Sequence, residues 1–355
     1  MKSLAVVPGE RYSAHLIDAP VPDVGDGELL IRSIRAGVCG TDREIHQGLY
    51  GKAPQGSDYL ILGHESLGVV EKAGRGVAGY DLGDVVVRAV RRPCGCKNCS
   101  AGSNDLCPTG DFTESGIKEL HGCMAEYFKD SPAYLFKIPR ELADVAVLLE
   151  PQSVVEKVWR QANLIQRRLI WEPKKAIVIG AGPIGLLQSM LFVAEGLETY
   201  VVARSKYGNV KSRIAESVGA RYLSASEYSI EGIRKAAGLA DIVVDASGDS
   251  SMAFESFGLC ANNGVVCLTS ITGGDKAYQI PSDRFNLDIV LGNKVAFGSV
   301  NANRVDYEIG IIRLASFMER WQNSLYSMFT RRLQVADCVK AMDSDSSDIK
   351  TTIEF

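Results

Sequence analysis

No stretch of this 355-residue chain comes near the roughly 18 uninterrupted apolar residues that a membrane helix needs. The opening MKSLAVVPGERY carries a very short apolar stretch before a Pro-Gly turn, so it does not read as a signal peptide, and a cytoplasmic location is expected. Positive charge is not in excess. With 39 Lys and Arg against 43 Asp and Glu, the net charge is −4, which gives no electrostatic reason to expect nucleic acid. Internal repeats, low-complexity tracts and long linkers are absent too. Hydrophobic residues at 46% and charged residues at 23% are ordinary globular values, and they exclude a disordered, collagen-like or disulfide-scaffold protein. The length predicts two domains.

Nine cysteines are present, and without an export signal they point to thiols or metal ligands. Four crowd together as Cys94, Cys96, Cys99 and Cys107, spaced C-x-C-x2-C-x7-C with Gly95, Gly102 and Pro108 as turn residues. Four thiolates on one loop make a closed tetrahedral zinc site, structural because no position stays open. The alternative is four unligated thiols, which would be an oxidation liability. Cys123, Cys260, Cys267 and Cys338 have no partner spacing and read as core residues; His15 and His121 read as structural.

A second constellation is dispersed. Cys39 lies in GVCGTD after a strand-like stretch, His64 and Glu65 lie in GHES, and Glu150 follows the apolar run VAVLL. A Cys, a His and one or two carboxylates could hold a catalytic zinc with a position open to water or substrate. Taken singly, each has a plainer reading: a lone Cys is usually a small buried hydrophobe, a lone His a hydrogen-bonded bystander.

In KAIVIGAGPIG a strand runs into Gly180-Ala181-Gly182-Pro183-Ile184-Gly185 and then into an apolar helical stretch. This is G-x-G-x-x-G in the context that makes it informative. The runs ETYVVAR, ADIVVDASG, GVVCLTSI and KVAFGSV continue an α/β rhythm, which predicts a Rossmann, doubly wound parallel sheet. The strand after the glycines ends Ala203-Arg204-Ser205-Lys206, with no acid to accept from a ribose 2′-OH. Arg204, Ser205 and Lys206 could pair with a 2′-phosphate, so NADP is expected ahead of NAD; the alternative is that Arg204 and Lys206 are solvated charges.

Taken in order, CGTDREI at 39–45, GHES at 63–66, VRRP at 90–93, the cysteine lobe, DFTESGIKELHG at 111–122, EPQSVVEK at 150–157, the glycine fingerprint and SVNANR at 299–304 make the chain resemble the zinc-dependent medium-chain dehydrogenase/reductase superfamily, within it archaeal-type glucose 1-dehydrogenases. The resemblance spans essentially the whole chain. It implies a GroES-like, mainly-β catalytic domain over 1–160, with a structural zinc lobe at 93–108, a Rossmann domain over 161–298, and a return to the catalytic domain over 299–355. It further implies two zinc ions per chain, with Cys39, His64, Glu65 and Glu150 at the catalytic one. Thr41 would contact substrate and begin a proton relay. Glu114 and Asn301, with Glu150, would contact the sugar. Thr269, Ser270, Ser299 and Asn301 would join the glycine loop at the cofactor, and the chain would form a homo-oligomer, tetramer or dimer. The sequence departs from the family at Pro93, where a cysteine usually stands one place before Cys94; at Glu44, where many relatives carry a relay histidine; and at Val154, where relatives offer a polar sugar contact. The expected reaction is oxidation of an aldose, D-glucose first, at C1. The alternatives are another zinc-dependent polyol, alcohol or amino-alcohol dehydrogenase, or a catalytically silent NADPH-binding module.

Overall fold

In the computed structural model, which describes residues 1–272 and 275–355, the chain divides into two compact units. The first comprises Met1–Ser153, Asn301–Glu319 and Phe329–Phe355; the second comprises Val154–Val300 and Arg320–Met328. No helix of the described residues is long and apolar enough to cross a membrane.

The first unit is mostly short antiparallel strands. Its seven-stranded sheet runs in the order Leu135–Lys137, Val85–Arg88, Glu65–Ala73, Leu29–Val38, Lys350–Glu354, Phe329–Gln334, with Tyr127–Asp130 also paired to Leu29–Val38. The buried side chains of Leu29, Ile31, Ala36, Val38, Val70, Val86 and Ile353 come from neighbouring strands of this sheet and form one core with Leu4, Val6, Leu60 and Leu62. Register decides what meets at one end of the sheet. Gly37 lies opposite Glu65 on one side and Thr352 on the other, so Cys39, His64 and Lys350 arrive together just past the paired residues. A Cβ on Gly37 would stand 1.9 Å from Glu65 Oε2, so the strand needs glycine there for the carboxylate to lie across it.

The second unit holds six parallel strands: Lys175–Ile179, Glu198–Ala203, Arg221–Ser224, Ala240–Asp245, Cys260–Leu268 and Val295–Gly298. Numbered along the chain they stand 3-2-1-4-5-6, the order of dinucleotide-binding folds. Runs such as AIVI at 176–179 and IVV at 242–244 are apolar throughout because the strands are buried on both faces. The crossovers are helices, including Pro183–Ala194 and Val210–Ser217, the latter capped by Asn209, whose side chain accepts from the Lys211 and Ser212 amides.

Candidate active site

Cys39 is the N-cap of the helix Gly40–His46, directly after the strand that ends at Val38. Glu65 opens the neighbouring strand and His64 directly precedes it. One ligand atom each of Cys39, His64 and Glu65 falls within a group whose members all lie within 4.8 Å of one another. His64 and Glu65 are almost fully buried.

Two residues absent from the sequence reading complete this cluster. Asp42 is fully buried; it accepts from the Cys39 amide at 2.8 Å and the Gly63 amide at 3.3 Å, and its Oδ1 lies 3.5 Å from His64 Nδ1. Burial opposes its charge, but the imidazole and the two amides outweigh that and hold its carboxyl below the usual range. A carboxylate facing the ring nitrogen not used for a metal is the common second partner of a metal-binding histidine. Lys350 sits in the first residue of the last strand and donates to both Glu65 oxygens at 2.6 Å. Asp42 had a signal in the sequence, as the polar residue that follows Thr41 on a turn meant to be buried. Lys350 had none, because its partner is 285 residues away.

Glu150, in the first turn of the helix Leu149–Gln166, lies outside the 4.8 Å group although it is buried and within electrostatic reach of His64, Glu65 and Lys350. Burial pushes its carboxyl up to about 7. Thr41 follows Cys39 by two residues, and its hydroxyl interacts with Tyr50, whose phenol burial pushes up to about 12. A thiol, an imidazole and carboxylates form a donor set that suits zinc, with room in its shell for a further oxygen.

The four lobe cysteines converge. Cys94 Sγ lies 3.7 Å from Cys99 Sγ and 3.5 Å from Cys107 Sγ, and Cys96 Sγ lies 3.9 Å from Cys107 Sγ. A disulfide needs about 2.05 Å. A zinc–sulfur bond of about 2.3 Å sets tetrahedron edges of about 3.8 Å. These separations fit four thiolates around one zinc, and Cys94, despite its shifted place in the sequence, belongs to the set. Cys123, Cys260, Cys267 and Cys338 are buried and free, and burial pushes the Cys123 and Cys260 thiols up to about 12. His121 accepts from the Ile61 amide at 3.1 Å and stacks on Tyr59.

Glu114 and Asn301, 187 residues apart, touch: Asn301 Nδ2 donates to Glu114 Oε1 at 2.7 Å. Arg91 adds Nε to the same oxygen at 3.0 Å. Asn301 has a left-handed backbone, φ 61°, and its own Oδ1 accepts from the Ala302 amide.

In the second unit the expected cofactor residues line the carboxyl ends of the parallel strands. Gly180 follows Ile179, Arg204 follows Ala203, Thr269 and Ser270 follow Leu268, and Ser299 follows Gly298. Gly180 turns at φ 109°, and a Cβ on Gly185 would stand 2.1 Å from Gly180 O, whereas one on Gly182 would meet nothing within 4 Å. A tight turn, an open face and a close helix–strand contact are what a pyrophosphate at the N-terminus of Pro183–Ala194, opened by Pro183 and Ile184, requires. Arg204 and Lys206 are exposed, and their side chains make no hydrogen bond or ion pair among the described residues. Ser205 Oγ is 2.8 Å from Tyr222 OH. Thr269 donates to Asp245 O, Ser270 Oγ accepts from the Gly248 amide, and Ser299 Oγ is buried without a hydrogen-bond partner among the described residues.

Residues 25–140 match the family described as "Alcohol dehydrogenase GroES-like domain", and residues 143–355 match "Glucose dehydrogenase C-terminus". Over its whole length the chain is 45% identical to a glucose 1-dehydrogenase of Methanocella arvoryzae and 41% identical to one from Caldivirga maquilingensis, in each case across 99% of the relative. The glucose dehydrogenase of Haloferax mediterranei, solved with NADP, Zn and gluconolactone, superposes with a TM-score of 0.91 at 32% identity, covering 100% of this chain and 99% of that one. Full-length matches of this kind, carried by both halves, place the chain in the glucose dehydrogenase family of the zinc-dependent medium-chain dehydrogenase/reductase superfamily.

Proposed function

We propose that this protein oxidises D-glucose at C1 to the aldonolactone with NADP as acceptor, giving NADPH and a proton. The observation that carries the reading is the Cys39–His64–Glu65 cluster, a half-buried thiol beside a buried imidazole and carboxylate, in a chain that is alike, over its full length, to glucose 1-dehydrogenases. In this reading the first unit is the catalytic domain and the second binds the dinucleotide.

Cys39, His64, Glu65 and Glu150 would hold the catalytic zinc, and Cys94, Cys96, Cys99 and Cys107 the structural one. When bound, zinc supplies Lewis acidity toward the alcohol oxygen and the nicotinamide takes the hydride. The protein's own part is orientation and proton handling. Asp42 fixes the His64 ring, and Lys350 fixes the direction of the Glu65 carboxylate by bonding both of its oxygens. The Thr41 hydroxyl accepts the proton of the C1 hydroxyl and passes it outward. Glu114, Asn301 and Glu150 bind the other hydroxyls, and a site built for particular hydroxyls penalises an epimer that leaves a buried polar group unpaired. Arg204, Ser205 and Lys206 receive the 2′-phosphate, which favours NADP over NAD. A cytoplasmic homo-oligomer, tetramer or dimer, completes the reading, supported by the exposed apolar residues Leu287, Val290 and Leu291.

The test is NADP- and NAD-dependent oxidation of glucose, galactose, xylose, sorbitol and threonine by zinc-loaded protein, with and without chelator. Chelator-sensitive NADPH formation, fastest with glucose, is the expected result. A rate confined to sorbitol or threonine would move the substrate, and no rate on any of the five would overturn the enzymatic reading.

A further inference from the structure

Glu114 offers a ligand only half of its carboxylate. Oε1 takes Arg91 Nε at 3.0 Å, Arg91 Nη2 at 2.9 Å and Asn301 Nδ2 at 2.7 Å, whereas Oε2 has no hydrogen-bond partner among the described residues. Arg91 is itself 6% exposed and lies over the Phe112 ring, its guanidinium carbon 3.6 Å from the centroid. Its remaining nitrogen, Nη1, donates to the carbonyls of Asn104 and Asp105 at 3.3 and 3.4 Å, and Asn104 Nδ2 returns a bond to Arg91 O. Asn104 and Asp105 belong to the cysteine lobe, between Cys99 and Cys107. From there the chain of bonds closes: Asp105 Oδ1 accepts from Asn303 Nδ2 at 3.1 Å, and Asn303 is two residues from Asn301.

We infer that Arg91 is a positioning and specificity-determining residue, and that the cysteine lobe, through Arg91 and Asn303, sets the spacing of the two hydroxyl-binding groups Glu114 and Asn301. This rests on the reading of Glu114 and Asn301 as sugar contacts. With Oε1 occupied by three nitrogens, the carboxylate cannot rotate without breaking charge-assisted bonds, so Oε2 keeps one direction. The left-handed backbone of Asn301, a conformation asparagine tolerates better than most residues, places its side chain in the same ring of bonds. Arg91 can serve both sides because its planar fork presents donors in fixed directions; an ammonium in its place satisfies one side only.

The experiment compares Arg91→Lys, Asn303→Ser and Glu114→Gln in the zinc-loaded enzyme. Serine retains the capping role that Asn303 plays toward Val305 and Asp306 but is too short to reach Asp105. Arg91→Lys is expected to raise KM for glucose about tenfold and to narrow the glucose-to-galactose ratio of kcat/KM, with kcat within about twofold, KM for NADP unchanged and zinc per chain unchanged. Asn303→Ser should shift KM in the same direction by about threefold, and the double variant should fall short of the product of the two effects because both act through one network. If Arg91→Lys fails to fold, Asn303→Ser decides alone. Unmoved KM and selectivity, or changes that come only with loss of zinc and of NADP affinity, overturn the proposal. Glu114→Gln separates the two levels: if it leaves KM for glucose unmoved, the sugar-contact reading falls and this inference with it. If it raises KM while Arg91→Lys and Asn303→Ser do not, the inference alone falls.

Discussion

Lys350 and Glu65 are each 1% exposed and bonded to each other, an ion pair taken almost wholly out of water. Removing one partner of such a pair leaves an uncompensated buried charge, at a cost of about 3–5 kcal/mol. Lys350→Met is therefore expected to lower the unfolding free energy by about that amount and to lower the zinc content, measured by urea denaturation and metal analysis. Arg204 stands at the opposite extreme, an exposed cation at the end of its strand with no protein partner among the described residues. A charge-assisted bond to a 2′-phosphate contributes about 1.5–3 kcal/mol, so Arg204→Ala should cut kcat/KM for NADP about ten- to a hundredfold and leave that for NAD nearly unchanged. An equal loss with both cofactors would deny Arg204 the phosphate. At this scale the sequence points to candidates by residue type and immediate neighbours, such as Cys39, His64 and Arg204, and the structure brings Cys39 and His64 together. It hides Lys350, whose role comes from a strand pairing across the whole chain, and it does not show that Glu114 and Asn301 meet.

Among the elements, the parallel strands of the second unit were legible because burial on both faces makes them unbroken apolar runs between glycines. The two-residue strands Leu60–Ile61 and Arg91–Arg92 are too short to leave a period. The insertion of the last strand, Lys350–Glu354, between Leu29–Val38 and Phe329–Gln334 could not be read from the sequence, since nothing local specifies a partner. The cysteine lobe is the opposite case: its spacing is local, and it can be read without the fold. Its order nevertheless depends on something other than a core, because its regular structure is limited to the short helices Lys97–Ser100 and Asn104–Leu106. A metal held by the four sulfurs would add ordering free energy to the hydrogen bonds that tie the lobe to Arg91 and Asn303. Cys107→Ser is expected to reduce zinc from about two to about one per chain, lower the melting temperature, and bring the remaining lobe thiols within reach of a thiol reagent. Two zinc ions retained with an unchanged melting temperature would show that the four sulfurs do not share a metal.

At the scale of the molecule, the helix Ser282–Gly292 presents Leu287, Val290 and Leu291, which are 59%, 61% and 70% exposed. Positions 287, 290 and 291 fall on one helical face, and the adjacent strand Val295–Gly298 is the edge of its sheet, with one row of backbone donors and acceptors unpaired among the described residues. Single exposed apolar residues are ordinary; a contiguous face beside an open strand edge is the kind of surface that self-association would cover. A second copy of the chain offers the same face and the same edge, and a two-fold arrangement would bury both at once. The net charge of −4 is too small to keep two such faces apart. Light scattering on a sizing column should therefore give a mass two or four times the 38.4 kDa of one chain. The double substitution Leu287→Glu with Leu291→Glu should shift that mass downward, while far-ultraviolet dichroism stays unchanged, because the side chains it alters are solvent-facing within one copy. A wild-type protein that runs as a single chain at micromolar concentration would leave the face without an occupant and end the argument for self-association.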